Sequence, residues 1–134
     1  MASALYNKGR QAFLEGEIDW ADDTIMIALL ASTHTPDLVN DDNWDDISAD
    51  QIGTDVTLGT KSVVDGVADA ANATFPTVTG AEVSYIAIRK DTGTPSTSQL
   101  IALLDTDVTG LPVTPNGGDI EVQWADTVNK IFKL

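Results

Sequence analysis

The sequence predicts a mainly β chain, a single antiparallel β-sandwich or barrel-like domain with a short N-terminal helix or arm. Three observations predict it. From residue 56 onward, short β-branched and apolar runs recur at roughly 8–12-residue spacing, punctuated by Gly, Pro, Asn, Asp and Thr. Two of the runs alternate. Val83, Tyr85 and Ala87 oppose Ser84, Ile86 and Ile88, while Ile120, Val122 and Trp124 oppose Glu121 and Gln123. Finally, 134 residues suffice for one moderate core, whereas two cores would each be too small. The organisation read from the chain is one domain over 1–134. Its N-terminal helix or arm covers 1–16 and its β-domain 17–134, with an acidic loop at 33–55.

Residues 4–15 read as the helix. Leu5, Ala12 and Phe13 fall near one face, and Gly16 is a stop signal. Gly9 weakens that reading, and an arm ordered against a neighbour is the alternative. Residues 23–32 form the first strong strand, apolar on both parities and so covered on both faces. Within the polar stretch that follows, 40–50 suits a short helix or turn around Trp44 and Ile47, with Ser48-x-x-Gln51 as a weak capping box. Further strands are read at 56–58, 61–64, 73–75, 82–89, 99–104, 119–124 and 130–134. Asn116-Gly117-Gly118-Asp119 signals a tight turn. The predicted core includes Ile27, Leu29, Ile86, Leu103, Val122 and Trp124.

Charge narrows the function. Seven Lys and Arg face 21 Asp and Glu, for a formal net charge of −14. Residues 1–60 hold twelve of the acids against two bases, Lys8 and Arg10. Such a surface repels phosphate, so the sequence predicts neither a nucleic-acid partner nor an anionic membrane surface as partner. The acids suit solubility, display on a particle exterior, or a basic partner. Without Cys, thiolate catalysis, Cys-type zinc sites and disulfides are excluded. The opening residues lack the apolar core of a signal peptide, and the longest apolar stretch, 25–31, is too short to span a bilayer. Synthesis and retention in the cytoplasm, or release on lysis, is the expectation.

Each enzyme template lacks parts. A Ser–His triad needs an imidazole base, and the single His34 lies in a predicted surface loop with no Gly-x-Ser-x-Gly elbow elsewhere. The acidic run Asp41-Asp42-Asn43-Trp44-Asp45-Asp46 invites calcium, but the Gly and Glu that an EF-hand requires are replaced by Asp46 and Ile52. Asn116-Gly117-Gly118 is not followed by the Lys-Ser/Thr and helix of a phosphate loop. Carboxylate pairs for glycoside hydrolysis occur in any acidic β-protein and carry no weight without an aromatic cleft. The expectation is therefore no catalytic residue, no cofactor, no metal and no small-molecule substrate.

Interface residues are read instead. Lys8 and Arg10 sit beside Leu5, Tyr6 and Phe13, so apolar anchors and cations combine in one segment. Trp44, in the acidic loop, is a further partner contact. The competing reading is a helix that covers the domain's own core. Attachment through 4–16 predicts that a chain lacking 1–16 still folds.

Several stretches resemble small structural proteins encoded by tailed phages: ALYNKGRQAFLEGEIDW at 4–20 with Asp23-Thr24-Ile25 after it, DGVADAANATF at 65–75, KDTGT at 90–94, LIA at 100–102, TGLPVTPNGGDI at 109–120 and NKIF at 129–132. The segment 33–59 matches least and reads as this chain's own exposed surface. The resemblance implies a non-enzymatic virion component, a head decoration (cement) protein rather than a tail or neck component. It implies the major capsid protein or another virion protein as partner, a homo-oligomer, location on the capsid exterior, and synthesis in the host cytoplasm. Avidity from many weak copies would replace single-site affinity. A carbohydrate-binding β-sandwich module is the alternative from another class.

Overall fold

Backbone pairing sorts the chain into three antiparallel sheets, which a computed structural model describes over residues 4–105, 108–128 and 130–134. In chain order the elements are β1 (Ala4–Leu5), α1 (Asn7–Leu14), β2 (Ile25–Ala31), α2 (Trp44–Ile47), β3 (Gln51–Thr57), β4 (Ser62–Val64) and β5 (Val67–Asp69). Then follow β6 (Ala73–Phe75), β7 (Val83–Lys90), β8 (Leu100–Leu104), β9 (Val108–Thr109), β10 (Ile120–Trp124) and β11 (Phe132–Lys133). The large sheet has five strands in the order β1-β8-β7-β2-β3. Two small sheets have three each, β6-β10-β9 and β11-β5-β4. The chain is thus a mainly β fold of three sheets and two short α-helices.

The large sheet is apolar on both faces because both are covered. Ile25, Ile27 and Leu29 of β2 join Ile86 and Ile88 of β7 in one buried cluster with Phe75, Val122, Trp124 and Ala68 from the small sheets. Ala28 and Leu30 face the other way, with Ala87, Leu100 and Leu103, and are covered by Tyr6, Trp44 and Ile47. This explains why β2 shows no inside-outside alternation and corrects the alternation read in β7, where Ala87 is buried on one face and Ile86 and Ile88 on the other. In β10 the alternation does divide inside from outside, with Val122 and Trp124 buried while Glu121 and Gln123 are exposed. All six predicted core residues are buried. Burying one such aliphatic side chain stabilises the fold by about 1.5–3 kcal/mol.

Helix α1 closes an edge. β1 pairs with the outer side of β8 for only two residues, and α1 then takes over. Tyr6 N–H donates to Ile101 O at 2.9 Å, and a Cβ on Gly9 would meet Leu100 O at 2.7 Å and Ile101 O at 2.8 Å. Gly9 is therefore what lets the helix lie against the β8 backbone, which the helix-propensity argument counted against it. The predicted stop at Gly16 is a Schellman end. Gly16 has φ +75°, its N–H donates to Phe13 O, and Glu17 N–H donates to Ala12 O.

Several sequence expectations are corrected. The helix begins at Asn7, and Ala4–Leu5 is strand. The loop 33–55 is not simply exposed surface: Trp44 and Ile47 seal the second face of the large sheet, and β3 starts at Gln51 inside it. Asp46 accepts the N–H groups of Asp42 and Asn43 at 2.8 and 3.1 Å, so the helix start lies at Asn43 rather than at Ser48. β1, β5 and β9 were not anticipated. The hairpin β4–β5 had a signal in Asp65-Gly66, whose φ angles are +51° and +79° and across which Val64 pairs with Val67. Asn116–Asp119 does turn, with Gly118 N–H donating to Asn116 Oδ1 at 2.9 Å, but it leads into β10 from an irregular segment.

Candidate docking face

The predicted interface residues divide by burial. Tyr6 is fully buried, and Leu5 and Trp44 are nearly so. Their expected role as exposed anchors gives way to packing within the chain: alternate coverage of a two-faced sheet consumes the nearest aromatics. Lys8 and Arg10 are exposed and Phe13 is half-buried. Trp44 stacks under the buried Arg89, whose Cζ lies 4.2 Å from the ring centroid. Arg89 also pairs with Asp55 through Nη2. Tyr6 Oη has no hydrogen-bond partner among the described residues. Burial, then the charges of Asp41 and Asp37, push the phenol well above its ordinary value.

His34 is not a surface residue. It is 6% exposed, its Nδ1 lies 2.7 Å from Asp50 Oδ2, and its ring meets Tyr85 edge-on at 5.7 Å. A Ser–His–Asp relay would need a hydroxyl on Nε2, and that atom has no hydrogen-bond partner among the described residues. In the acidic segment, Asp37 accepts from Val39 N, Asn40 N and Asn40 Nδ2, and Asp46 caps α2. These oxygens serve the backbone. Among the described residues no three His, Asp or Glu side chains gather as a metal site.

What does come together lies around β11. Phe132 packs against Phe13 of α1 at 5.8 Å and edge-on against Trp20 at 5.2 Å. Ile131 N–H and Leu134 N–H donate to Ala68 O and Gly66 O, both at 3.1 Å, which ties the strand to β5. An apolar groove runs over this cluster, lined by Phe13, Trp20, Val63, Phe132 and Leu134. A second hollow beside it holds Val64 and Val128. Among the described residues six large hydrophobics are well exposed, and four of them, Val63, Val64, Val128 and Leu134, line these two hollows. All three β4 residues are exposed, and β4 ends its sheet. Sequence reading found Phe13 but not Val63, Val64 or Leu134, because the face joins the two ends of the chain with its middle.

On the other side of β11 lies a cavity of about 410 Å³ between β1, β8 and β11. Its described lining includes Arg10, Lys130 and Lys133 above Leu5, Leu104 and Phe132. Lys130 is hydrogen-bonded to Asp126 at 2.6 Å, which holds the ammonium above and the carboxyl below their usual values. Both groups are open to solvent, so the pair contributes little to stability. The arrangement as a whole offers apolar area, a strand edge and localised cations, which are the ingredients of recognition. No protein-family model matches the chain, and no curated protein is significantly similar to it.

Proposed function

We propose that the chain is a non-enzymatic structural protein of a tailed-phage virion, a capsid decoration protein that binds and stabilises the head shell. The observation that carries this reading is the exposed apolar face around β4 and β11 on a chain of net charge −14. Acidic surface keeps free subunits soluble and apart, and a patch of exposed aliphatics rimmed by polar residues marks a place of association. The phage-like stretches at 4–20, 65–75 and 129–132 supply the virion assignment. Residues 65–75 contain β5, and Phe13 and Phe132, from the first and last of these stretches, meet on the face. In this reading the large sheet and the two small ones pack as a sandwich that holds the face rigid. The partner is the major capsid protein, the assembled state is a homo-oligomer about a local axis of the shell, and the location is the capsid exterior after synthesis in the host cytoplasm.

The test is to mix purified full-length chain with undecorated heads and image the pelleted particles. Regular density on the shell at hundreds of copies is the expected result. Density restricted to the tail or neck, at tens of copies, replaces the head assignment. Binding to glycans by the isolated chain, with none to particles, removes the virion reading.

A further inference from the structure

We propose that the cavity between β1, β8 and β11 receives an acidic, partly apolar segment of a different protein, its carboxylates held by Arg10 and Lys133. Charge carries the argument. The chain holds three times as many acids as bases, 21 against seven, yet the described lining of this cavity contains three of the bases and no acid. Lys130 is held by Asp126 just outside, which leaves Arg10 and Lys133. Of the four bases elsewhere three are spent, and the fourth, Lys8, lines a hollow that already holds Glu15, Glu17 and Asp42. Arg89 is buried on Asp55 and Trp44, Lys90 reaches Asp23 at 3.2 Å, and Lys61 donates to Asp23 O. Arg10 and Lys133 are exposed, and neither has an ion pair among the described residues. Local positive potential in an acidic molecule selects an anionic partner and repels a basic one.

The shape selects a polypeptide over a simple anion. The floor is apolar, made by Leu5, Leu104 and Phe132, and no small anion uses it. β1 and β11 are each the last strand of their sheets and line the cavity with Ala4 and Lys133, so an extended segment can run beside a strand edge. A volume of about 410 Å³ lies within the ordinary range for bound ligands. A second copy is disfavoured as donor in free solution, where two chains of −14 repel; the homo-oligomer proposed above is the state assembled on the shell. The proposal rests on the docking reading above only for the partner's place in a virion.

The experiment is an amide NMR titration of the full chain with acetyl-Glu-Leu-Glu-Leu-Glu amide. The controls are the Lys-Leu-Lys-Leu-Lys counterpart and inorganic phosphate at equal ionic strength. Saturable shifts at Leu5, Arg10 and Lys133 with the acidic peptide alone are expected. The double variant Arg10→Glu, Lys133→Glu should weaken binding about tenfold or more, while Arg10→Lys, Lys133→Arg should retain it. Should charge reversal disturb the spectrum, Arg10→Gln, Lys133→Gln is read in its place. Equal shifts from phosphate, equal binding of the basic peptide, or undiminished binding by the neutralised variant overturns the proposal. So does concentration-dependent self-association that the variant abolishes, which would make a second copy the occupant. Head binding separates the two readings. If the reversed variant loses the peptide but still decorates heads, decoration stands through the β4–β11 face and the cavity stands as a separate site. If it keeps the peptide, the cavity assignment fails whatever the heads show. If wild type binds the peptide but no particle, decoration fails and the cavity stands.

Discussion

Gly9 shows how a single residue can be misjudged by local rules and rescued by its surroundings. In a free helix Gly9→Ala would gain stability, by up to about 1 kcal/mol. Here the new methyl would enter the β8 backbone at 2.7–2.8 Å, where no flexible side chain can yield. The clash wins, and G9A should lose about 1–3 kcal/mol in urea unfolding. Arg89 gives a second residue-scale prediction. Its side chain is 4% exposed and that of Asp55 is 24% exposed, so removing the carboxylate leaves the buried cation with only the longer Asp91 contact, 3.8 Å from Nε, and the Trp44 ring. Asp55→Ala should cost about 3 kcal/mol, and the double variant Arg89→Met, D55N should recover most of it. Tyr6 links burial to pH. Its phenol is held neutral above the ordinary value of 10 by burial and by the carboxylates Asp41 and Asp37. Above pH 10 the unfolded chain releases this proton while the folded chain keeps it, so stability falls as pH rises. Melting curves from pH 8 to 12 should fall more steeply for wild type than for Tyr6→Phe. At neutral pH Y6F should match or exceed wild type, since the hydroxyl it removes has no partner among the described residues.

At the scale of elements, α1 is the decisive one. It is only eight residues long and has neither acids in its first turn nor bases in its last. A helix of that length is not stable alone. It persists because Ala12, Phe13 and the preceding Tyr6 pack on two clusters while its backbone closes β8. A chain lacking 1–16 would therefore expose β8 and open a hole at Tyr6. Such a chain should be unfolded by near-ultraviolet circular dichroism and amide dispersion, contrary to the sequence expectation of a free-standing β remainder. The hairpin β4–β5 is the opposite case. Its register follows from Asp65-Gly66 alone, through the two positive φ angles, yet nothing in the local sequence says that its exposed valines meet Leu134.

For the molecule as a whole, the dominant long-range force is self-repulsion. A net charge of −14 on a 14.2 kDa chain opposes compaction. Asp41 illustrates it: partial burial, then Asp37 and Asp46, raise its carboxyl above the ordinary range. Raising sodium chloride from 10 mM to 0.5 M should therefore raise the melting temperature, as screening relieves repulsion among the acids. A melting temperature unchanged or lowered by salt would mean that local pairs such as Lys90–Asp23 outweigh the net charge.

The sequence by itself determined the β class, the positions of most strands, the six core residues and the helix end at Gly16, because each depends on neighbours a few residues away. Periodicity reports which side chains must be hidden, and glycine at positive φ reports where the chain must turn. Only the tertiary structure decided what hides them. Tyr6, Trp44 and His34 look like surface residues in their own segments and become interior because the large sheet has a second face to cover. Arg10, Lys133 and Leu134 look unrelated in the chain and share one end because β11 pairs with β5 beneath α1. Pairing partners far apart in sequence are chosen by the burial available to the whole chain, and no local pattern carries that information.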